Sequence, residues 1–501
     1  MSLLLQINPA DNVAVARQAI PAGTVLPTGP LATDIPAGHK VALRPIAAGE
    51  GIRKYGFIIG VATRDIVAGE HVHEHNVRTG LGADTALTYS GAPSIPADPS
   101  AASLGPATFL GYRRPNGSVG TRNEIWIINT VACVNVPAER IARLATEKFV
   151  RPGSGIDGVQ SFSHPYGCSQ LGDDLFHTQK ILAGLARHPN AGAVLVLGLG
   201  CENNQMRAQL EQIGATEPGR IQFFNAQEVA DEIEEGLVRL EKLAAYADQF
   251  KREPVPVSSL VLGMKCGGSD GFSGITANPL VGRVSDWLTA NGGTAILTEV
   301  PEMFGAEEPL LSRAVSQEVF DQGLTMINGF KDYFRSHNEP IGENPSPGNR
   351  AGGITTLEDK SLGCVQKGGR ASVAQIAAYG ERATPGLGGL CLVNAPGNDG
   401  VSCTAMAAAG AHAILFTTGR GTPLGVPVPT IKIASNHDLA ERKKGWIDFD
   451  ASPVLTPGTS IDDVARQLIA TVVSIASGER QTRNEINGFR EITLWKDGVT
   501  L

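Results

Sequence analysis

Residues 71 to 76 read His-Val-His-Glu-His-Asn, which puts three of the chain's ten histidines at every second position. Alternate side chains of an extended strand share a face, so His71, His73 and His75 would present a row of imidazoles. Such a row is ligand chemistry for a divalent metal. Spacing limits it: neighbours on that face lie roughly 6.5 Å apart, so at most two of the three can close on one ion. The bland alternative is a polar strand edge with solvated histidines.

Several polar, glycine-rich phrases directly follow apolar runs. In open α/β sheets ligands bind beyond the carboxyl ends of the strands, so these phrases have the right address. Gly198-Leu-Gly-Cys-Glu-Asn-Asn204 follows Ala193–Leu197 and could bring backbone N–H groups to an anion. It lacks the third glycine of a dinucleotide fingerprint, and a tight strand-to-helix turn explains it as well. The stretch Lys265 to Pro279 follows Leu260–Met264 and packs four glycines among Ser269, Asp270, Ser273, Thr276 and Asn278. A loop so dense in hydrogen-bonding groups suits a polyhydroxylated or carboxylated ligand. Ser163 to Asp174 offers His164, Tyr166, Cys168, Asp173 and Asp174 for acid/base or ligand work, against a structural histidine in a turn. Arg420, in Thr417-Thr-Gly-Arg-Gly-Thr-Pro423, could hold a carboxylate with its two-pronged guanidinium. Turn architecture is the alternative there, and for Asn344-Pro-Ser-Pro-Gly-Asn349 and Pro396-Gly-Asn-Asp399.

Cys133, Cys168, Cys201 and Cys266 each sit in or beside such a phrase. Four thiolates converging at strand ends could hold an iron–sulfur cluster. No CxxC pair supports that, and small buried cores account for most free cysteines.

The elements that must position these groups follow from composition and pattern. A chain of 501 residues is too long for one ordinary domain, and 42 % apolar residues suffice for sizeable cores. A net charge of −8 argues against nucleic acid as partner, and no apolar run reaches membrane-spanning length. Seven scattered cysteines and no secretory leader fit a reducing, cytoplasmic setting. A short phrase recurs at Ile20–Gly23, Ile35–Gly38, Ile46–Gly49 and Ile66–Gly69, which predicts an all-β module of short strands over residues 1–80. Residues 81–106 are small, proline-bearing and nearly uncharged, and read as a linker. From 107 the pattern turns α/β, with buried parallel strands at Ala193–Leu197, Leu260–Met264, Thr294–Val300, Leu390–Asn394 and Ala413–Thr417. Helices are expected over Glu228–Phe250 and, behind a Ser460 N-cap, over Val464–Ala476. A division near Arg252–Pro256 gives α/β domains over 107–252 and 253–501, with mostly parallel, Rossmann-like sheets.

Together the phrases resemble the altronate/galactarate dehydratase family over nearly the whole chain. The resemblance rests on Gly38–Leu43, Lys54-Tyr-Gly56, His71–Asn76, Gly120-Thr-Arg-Asn-Glu124, His164–Asp174, Gly198–Asn204, Cys266-Gly-Gly-Ser-Asp-Gly271, Glu299–Gly305, Asn344–Asn349 and Thr417–Pro423. The His71–Asn76, Glu202-Asn-Asn204 and Trp446-Ile-Asp-Phe-Asp450 phrases look like the altronate branch. The resemblance implies a hydro-lyase converting D-altronate to 2-dehydro-3-deoxy-D-gluconate and water in bacterial hexuronate breakdown. It also implies dependence on divalent iron or manganese, and an N-terminal SAF-like β module.

The chemistry then sets the roles. The C2 hydrogen of an aldonate is barely acidic beside an ionised carboxylate, so its removal needs a strong electropositive centre, a base, and an acid for the C3 hydroxyl. The expected metal ligands are His39 and two of His71, His73 and His75, with a carboxylate from elsewhere. His164 is the expected acid or base and Arg420 the carboxylate clamp, with Asp270 beside them. Lys265, Ser269, Asn278 and Thr418 are the expected substrate-binding groups. The partner is a small sugar acid, and a homo-oligomer is compatible with the pattern. The competing readings are a dehydratase of another sugar acid such as galactarate, a non-catalytic sugar-acid binding protein, and a nicotinamide dehydrogenase built on Gly198-Leu-Gly200.

Overall fold

The repeated phrases of the N-terminal module pair two by two: Ile20 bridges Ile35 and Ile46 bridges Ile66. Each phrase ends in a glycine held at φ between +80° and +83° (Gly23, Gly38, Gly49 and Gly69), a conformation that costs an L side chain dearly. The four isoleucines point inward and are almost fully buried. Antiparallel strands Val13–Ala16, Lys40–Ala42 and His71–Val72 form one small sheet, and Gly51–Lys54, Phe57–Ala62 and Val77–Arg78 another. The structure is a computed structural model that describes residues 3–27, 29–82, 84–91 and 96–501. The linker expected over 81–106 lies partly outside these residues. Its described part runs over the body rather than free of it: Thr85 Oγ1 donates to Glu307 at 2.9 Å, and Ala101 and Leu104 are buried.

The expected α/β body divides into two parallel sheets. The first runs in the order Gly158–Phe162, Glu124–Asn129, Ala191–Gly198, Ile221–Asn225. The second has seven strands, ordered Val373–Ala377, Gly389–Val393, Thr294–Leu297, Val261–Cys266, Ala413–Thr418, Thr430–Ala434, Phe449–Asp450. Helices cover both faces, so the central strands read as unbroken apolar runs. The chain leaves Val261–Cys266 towards Thr294–Leu297 and later returns on the other side at Ala413–Thr418. That reversal is a switch point at the carboxyl ends of the strands, where a crevice opens.

Two expectations shift in detail. Arg252–Pro256 is a strand paired with Thr108–Arg113, which ties the two ends of the first α/β unit together. The helix expected from Glu228 begins at Glu232, because Asp231 caps it by accepting from the Ile233 and Glu234 N–H groups. The helix behind Ser460 spans Ile461–Ala476 and carries a capping box with Asp463.

Candidate active site

Strand ends and two helices build a cavity of about 600 Å³ lined by Cys266, Glu299, Glu302, Lys360 and Asp399, among others. Cys266 is the last residue of its strand and Gly267 and Gly268 open the turn behind it. A Cβ at Gly267 would fall on the Asp399 carboxylate, so only glycine lets that acid approach the strand end. Asp399 starts the helix Asp399–Ala408, where the helix dipole favours its charge. Glu299 follows the strand Thr294–Leu297 and has φ 63° and ψ 73°, left-handed for a non-glycine residue. Such backbone costs on the order of 1–3 kcal/mol and concentrates at functional sites. The helix Leu357–Cys364 and the turn after it bring Lys360, Cys364 and Lys367 to one face by their i, i+4, i+7 spacing.

These groups are joined electrostatically. Buried Lys265 donates to Glu299 and, at 2.7 Å, to Asp399. Lys360 lies 2.9 Å from Glu302 Oε1, and Lys367 lies 2.7 Å from Cys266 Sγ. Cys266 and Cys364 sulfurs are 3.3 Å apart. The hydrogen bond from Cys364 brings the Cys266 thiol down to about 6, with Lys367 assisting, while Cys364 itself is pushed up by the same bond and by burial. Burial, then the neighbouring Glu302, pushes Glu299 well above the usual carboxylate range. Burial opposes the charge on Lys265, but Glu299 and Asp399 together outweigh it and keep the amine protonated. Glu299, the buried carboxyl beside another carboxylate, is the carboxyl of this group whose hold on a proton rises. The arrangement offers a buried carboxyl with a raised hold on its proton and a partly exposed carboxyl on one shared lysine, which is acid/base chemistry in a cavity sized for a sugar acid. A larger groove of about 740 Å³ beside Gln317–Met326 and Ile376–Ala378 is open and has no such cluster.

The expected histidines gather, though not as a strand row. The strand ends at Val72, and His73 to Asn76 turn back, with Asn76 Oδ1 accepting from the His73 N–H. His39 joins them: ring centroids are 5.0 Å apart for His39–His73, 5.1 Å for His39–His71 and 5.5 Å for His71–His75. His39 Nδ1 and His71 Nε2 are 3.0 Å apart, the separation of two neighbouring ligands on one ion at about 2.1 Å each. His73 Nδ1 is buried without a hydrogen-bond partner among the described residues. Burial lowers His71 to about 4 and His73 to about 3, which keeps both imidazoles neutral, the form that binds metal. His39 and His71 thus offer a divalent ion two donors, but the third imidazole and the carboxylate expected beside them do not come within 4.8 Å of both among the described residues. One further group, Cys266, Glu302 and Cys364, has donor atoms within 4.8 Å of one another and the size for a metal ion. There the Lys360 and Lys367 ammoniums already meet the negative charge.

The module is docked on the cavity wall. Lys40 Nζ donates to Gly353 O and to Asp359, and Lys54 donates to the other Asp359 oxygen at 3.0 Å. His39 Nε2 lies 3.3 Å from Ala351 O, and Gly38 packs on Phe272 and Gly352. Those partners belong to the two loops that also carry Gly268 and Asn349 into the cavity lining.

Other expected site residues prove to be braces. His164 lies in the first α/β unit with both nitrogens engaged: Nε2 donates to Asn129 O and Nδ1 accepts from the Tyr166 N–H. No ring nitrogen is left for proton transfer. Asp270 accepts from Ser273 N–H, Ser273 Oγ and Ser435 Oγ on Oδ1 and from Asn436 Nδ2 on Oδ2, which ties it to two loops. Asn278 joins Gly363 O to Thr417 Oγ1, and Thr418 Oγ1 accepts from the Gly421 N–H. Ser269 Oγ is buried with no partner among the described residues, and borders a separate space of about 10 Å³ rather than the cavity. Arg420 is exposed, with its Cβ near Gly268. Cys133, Cys168 and Cys201 are exposed in the first α/β unit, whereas Cys266 is buried in the second, so the four thiols do not share one cluster. Lys360 and Lys367 escaped sequence reasoning, while Glu299 and Glu302 entered only inside a family phrase and Asp399 only inside a turn phrase, none with a role; their signal was charged residues beside proline and glycine at strand ends.

No helix among the described residues is long and apolar enough to cross a membrane. Three family models tile the chain: an altronate/galactarate dehydratase SAF domain over 2–80, a galactarate dehydratase/altronate hydrolase second domain over 111–248, and a D-galactarate/altronate dehydratase C-terminal domain over 257–500. Altronate dehydratase of Escherichia coli K12 is 50 % identical, covering 99 % of both chains, and that of Bacillus subtilis 168 is 48 % identical, covering 100 % of both. The L-threo-forming galactarate dehydratase of Escherichia coli K12 is 34 % identical over 95 % of this chain and 93 % of that one. With its full length matched and its acid/base cavity at the strand ends, the chain belongs to the galactarate/altronate dehydratase family of hydro-lyases.

Proposed function

We propose that the chain dehydrates D-altronate to 2-dehydro-3-deoxy-D-gluconate, as a cytoplasmic enzyme whose partner is this small molecule, in a homo-oligomer or alone. The observation that carries the reading is Lys265 shared at one cavity between a buried Glu299, whose hold on a proton burial and Glu302 raise, and a partly exposed Asp399. In this reading Asp399 takes the C2 proton. Glu299 gives its proton to the departing C3 hydroxyl, and Lys265 steadies both carboxyls as charge moves between them. Lys360 binds a substrate oxygen, and Arg420 closes on the carboxylate from the Gly268 side. Fe²⁺ or Mn²⁺ held by His39 and His71, with His73 and His75 beside them, would supply the electropositive centre that makes the C2 hydrogen acidic. The enol product tautomerises to the keto acid without a redox cofactor.

The higher identity to the two altronate dehydratases than to the galactarate enzyme supports altronate over galactarate. The test is keto-acid release from a panel of aldonates and aldarates, with chelated enzyme and enzyme resupplied with Fe²⁺ or Mn²⁺. Altronate should give the highest kcat/KM, and only with metal. A preference for galactarate would replace the substrate. Tight altronate binding without product would replace the enzyme by a binding protein.

A further inference from the structure

Free cysteine is among the most buried residue types, yet three of the seven here are exposed. All three lie on one end of one sheet. Cys133 follows the strand Glu124–Asn129, Cys168 follows Gly158–Phe162, and Cys201 follows Ala191–Gly198. The sheet puts Glu124–Asn129 between the other two, so the three turns are immediate neighbours at the carboxyl ends, strands there being about 4.8 Å apart.

The turns are also sewn together. The Ala132 N–H donates to Tyr166 O at 2.9 Å, and the Asn204 N–H donates to Gly167 O at 2.9 Å. Asn204 Nδ2 donates to Thr130 O at 3.1 Å, and Thr130 Oγ1 donates to Glu202 at 2.5 Å. A Cβ at Gly167 would fall on the Thr130 carbonyl oxygen, and Ser169 is held at φ 57°, left-handed for a non-glycine residue. His164, tied at both nitrogens, fixes the start of the Cys168 turn to the end of the central strand. Backbone strain and rigid bracing thus frame three thiols that the fold leaves uncovered. Beside them stand two acceptors without a donor, which a water on an open iron could supply. Asn129 Oδ1 and Asn204 Oδ1 are buried at the same strand ends without a hydrogen-bond partner among the described residues. Gln227 Nε2 lies 3.5 Å from Cys201 Sγ and Ser169 Oγ 4.0 Å from Cys168 Sγ, donors of the kind that tune cluster sulfurs.

The spacing separates a cluster from a single ion. Among the described residues, the one set of acidic, thiol or imidazole donors close enough for one ion is Cys266, Glu302 and Cys364. Thiolates on different irons of a cluster stand farther apart than ligands of one ion. We propose that Cys133, Cys168 and Cys201 hold a [4Fe–4S] cluster through three of its irons, leaving the fourth open to water or a carboxylate. A cluster preformed with four dithiothreitol thiolates exchanges three of them: three Fe–S bonds to dithiothreitol break, three to Cys133, Cys168 and Cys201 form, the three cysteine protons leave on the released thiols, and no electron is transferred. The site is distinct from the Glu299 cavity and does not rest on the dehydration reading.

The test is anaerobic purification of the full chain, then incubation with an iron salt, sulfide and dithiothreitol and removal of the excess. Wild type should retain about four irons and four sulfides per chain, with the broad visible absorption of sulfide-to-iron charge transfer. Cys201→Ser and the Cys133→Ser/Cys168→Ser pair, checked as folded by circular dichroism, should lose at least nine-tenths of the sulfide. Cys266→Ser should keep it. Wild type that takes up no sulfide, that binds zinc or one iron alone, or whose sulfide survives in the cysteine variants would overturn the proposal. None of these readouts uses altronate, so failure here leaves the dehydratase reading standing.

Discussion

Lys40 Nζ of the β module lies 2.8 Å from Asp359 Oδ2 of the α/β body, with both side chains buried. Asp359 also takes Lys54, and its chain neighbour Lys360 takes Glu302 in the cavity. One short helix therefore grips the module with one residue and lines the cavity with the next. Burial alone would strip charge from Lys40, and it is brought down to about 8; Asp359 counters that and is itself held far below the usual carboxylate range by the two lysines.

Asp359→Asn leaves two buried ammoniums without a carboxylate. Removing one partner of a buried ion pair costs about 3–5 kcal/mol. Calorimetry should record a clearly lower melting temperature and an early transition from release of the module. An unchanged melting curve would mean that the module is held elsewhere.

Gly267→Ala places a Cβ on the Asp399 carboxylate while leaving the sheet intact. Displacing a reacting group by about 1 Å costs on the order of 100-fold in rate. We expect kcat to fall by at least tenfold, together with a lower melting temperature because the same Cβ comes within 2.7 Å of the buried Phe416 ring. Full kcat would remove Asp399 from the chemistry.

Acid stability follows from two imidazoles outside the metal region. His188 Nε2 donates to Ala411 O, and His412 Nδ1 accepts from the Val261 N–H, both fully buried. Burial drives both down, His412 to about 4 and His188 well below its ordinary value. A base whose folded value is depressed favours the folded state above its unfolded pKa of about 6.5 and loses that advantage as pH falls towards the folded value. His412 alone accounts for about 3 kcal/mol across pH 6.5 to 4. Urea midpoints should therefore decline over that window. A flat profile there would show that these rings are solvated.

His71→Ala removes one of the two imidazole nitrogens that stand 3.0 Å apart. Elemental analysis after Fe²⁺ or Mn²⁺ loading should show at least a tenfold weaker hold on the ion. Undiminished metal content would move the ion away from the histidines.

The module was readable because its signal is local. Four Ile-x-Ala-Gly phrases dictate four left-handed glycine turns whatever the rest of the chain does. The parallel strands were readable because burial on both faces leaves apolar runs. The histidine gathering was read from the right residues by the wrong geometry: Asn76 pulls His73 into a turn, and His39 arrives from the neighbouring strand. His164 and Asp270 look reactive in sequence, and only tertiary hydrogen bonds reveal that they are spent on bracing turns. Glu299 stood in the sequence only inside a family phrase, with no role attached, for the complementary reason. Its burial, its left-handed backbone and its shared lysine are products of three strand ends meeting, and no spacing along the chain encodes them.

The account turns on Glu299 as the proton donor to the departing hydroxyl, and turnover of D-altronate by Glu299→Gln tests that most directly. The amide keeps the shape and the hydrogen bond to Lys265 but has no acidic proton. A kcat lowered about 10²- to 10⁴-fold, with KM nearly unchanged and the fold intact, is the predicted result. Wild-type kcat in that variant would contradict it.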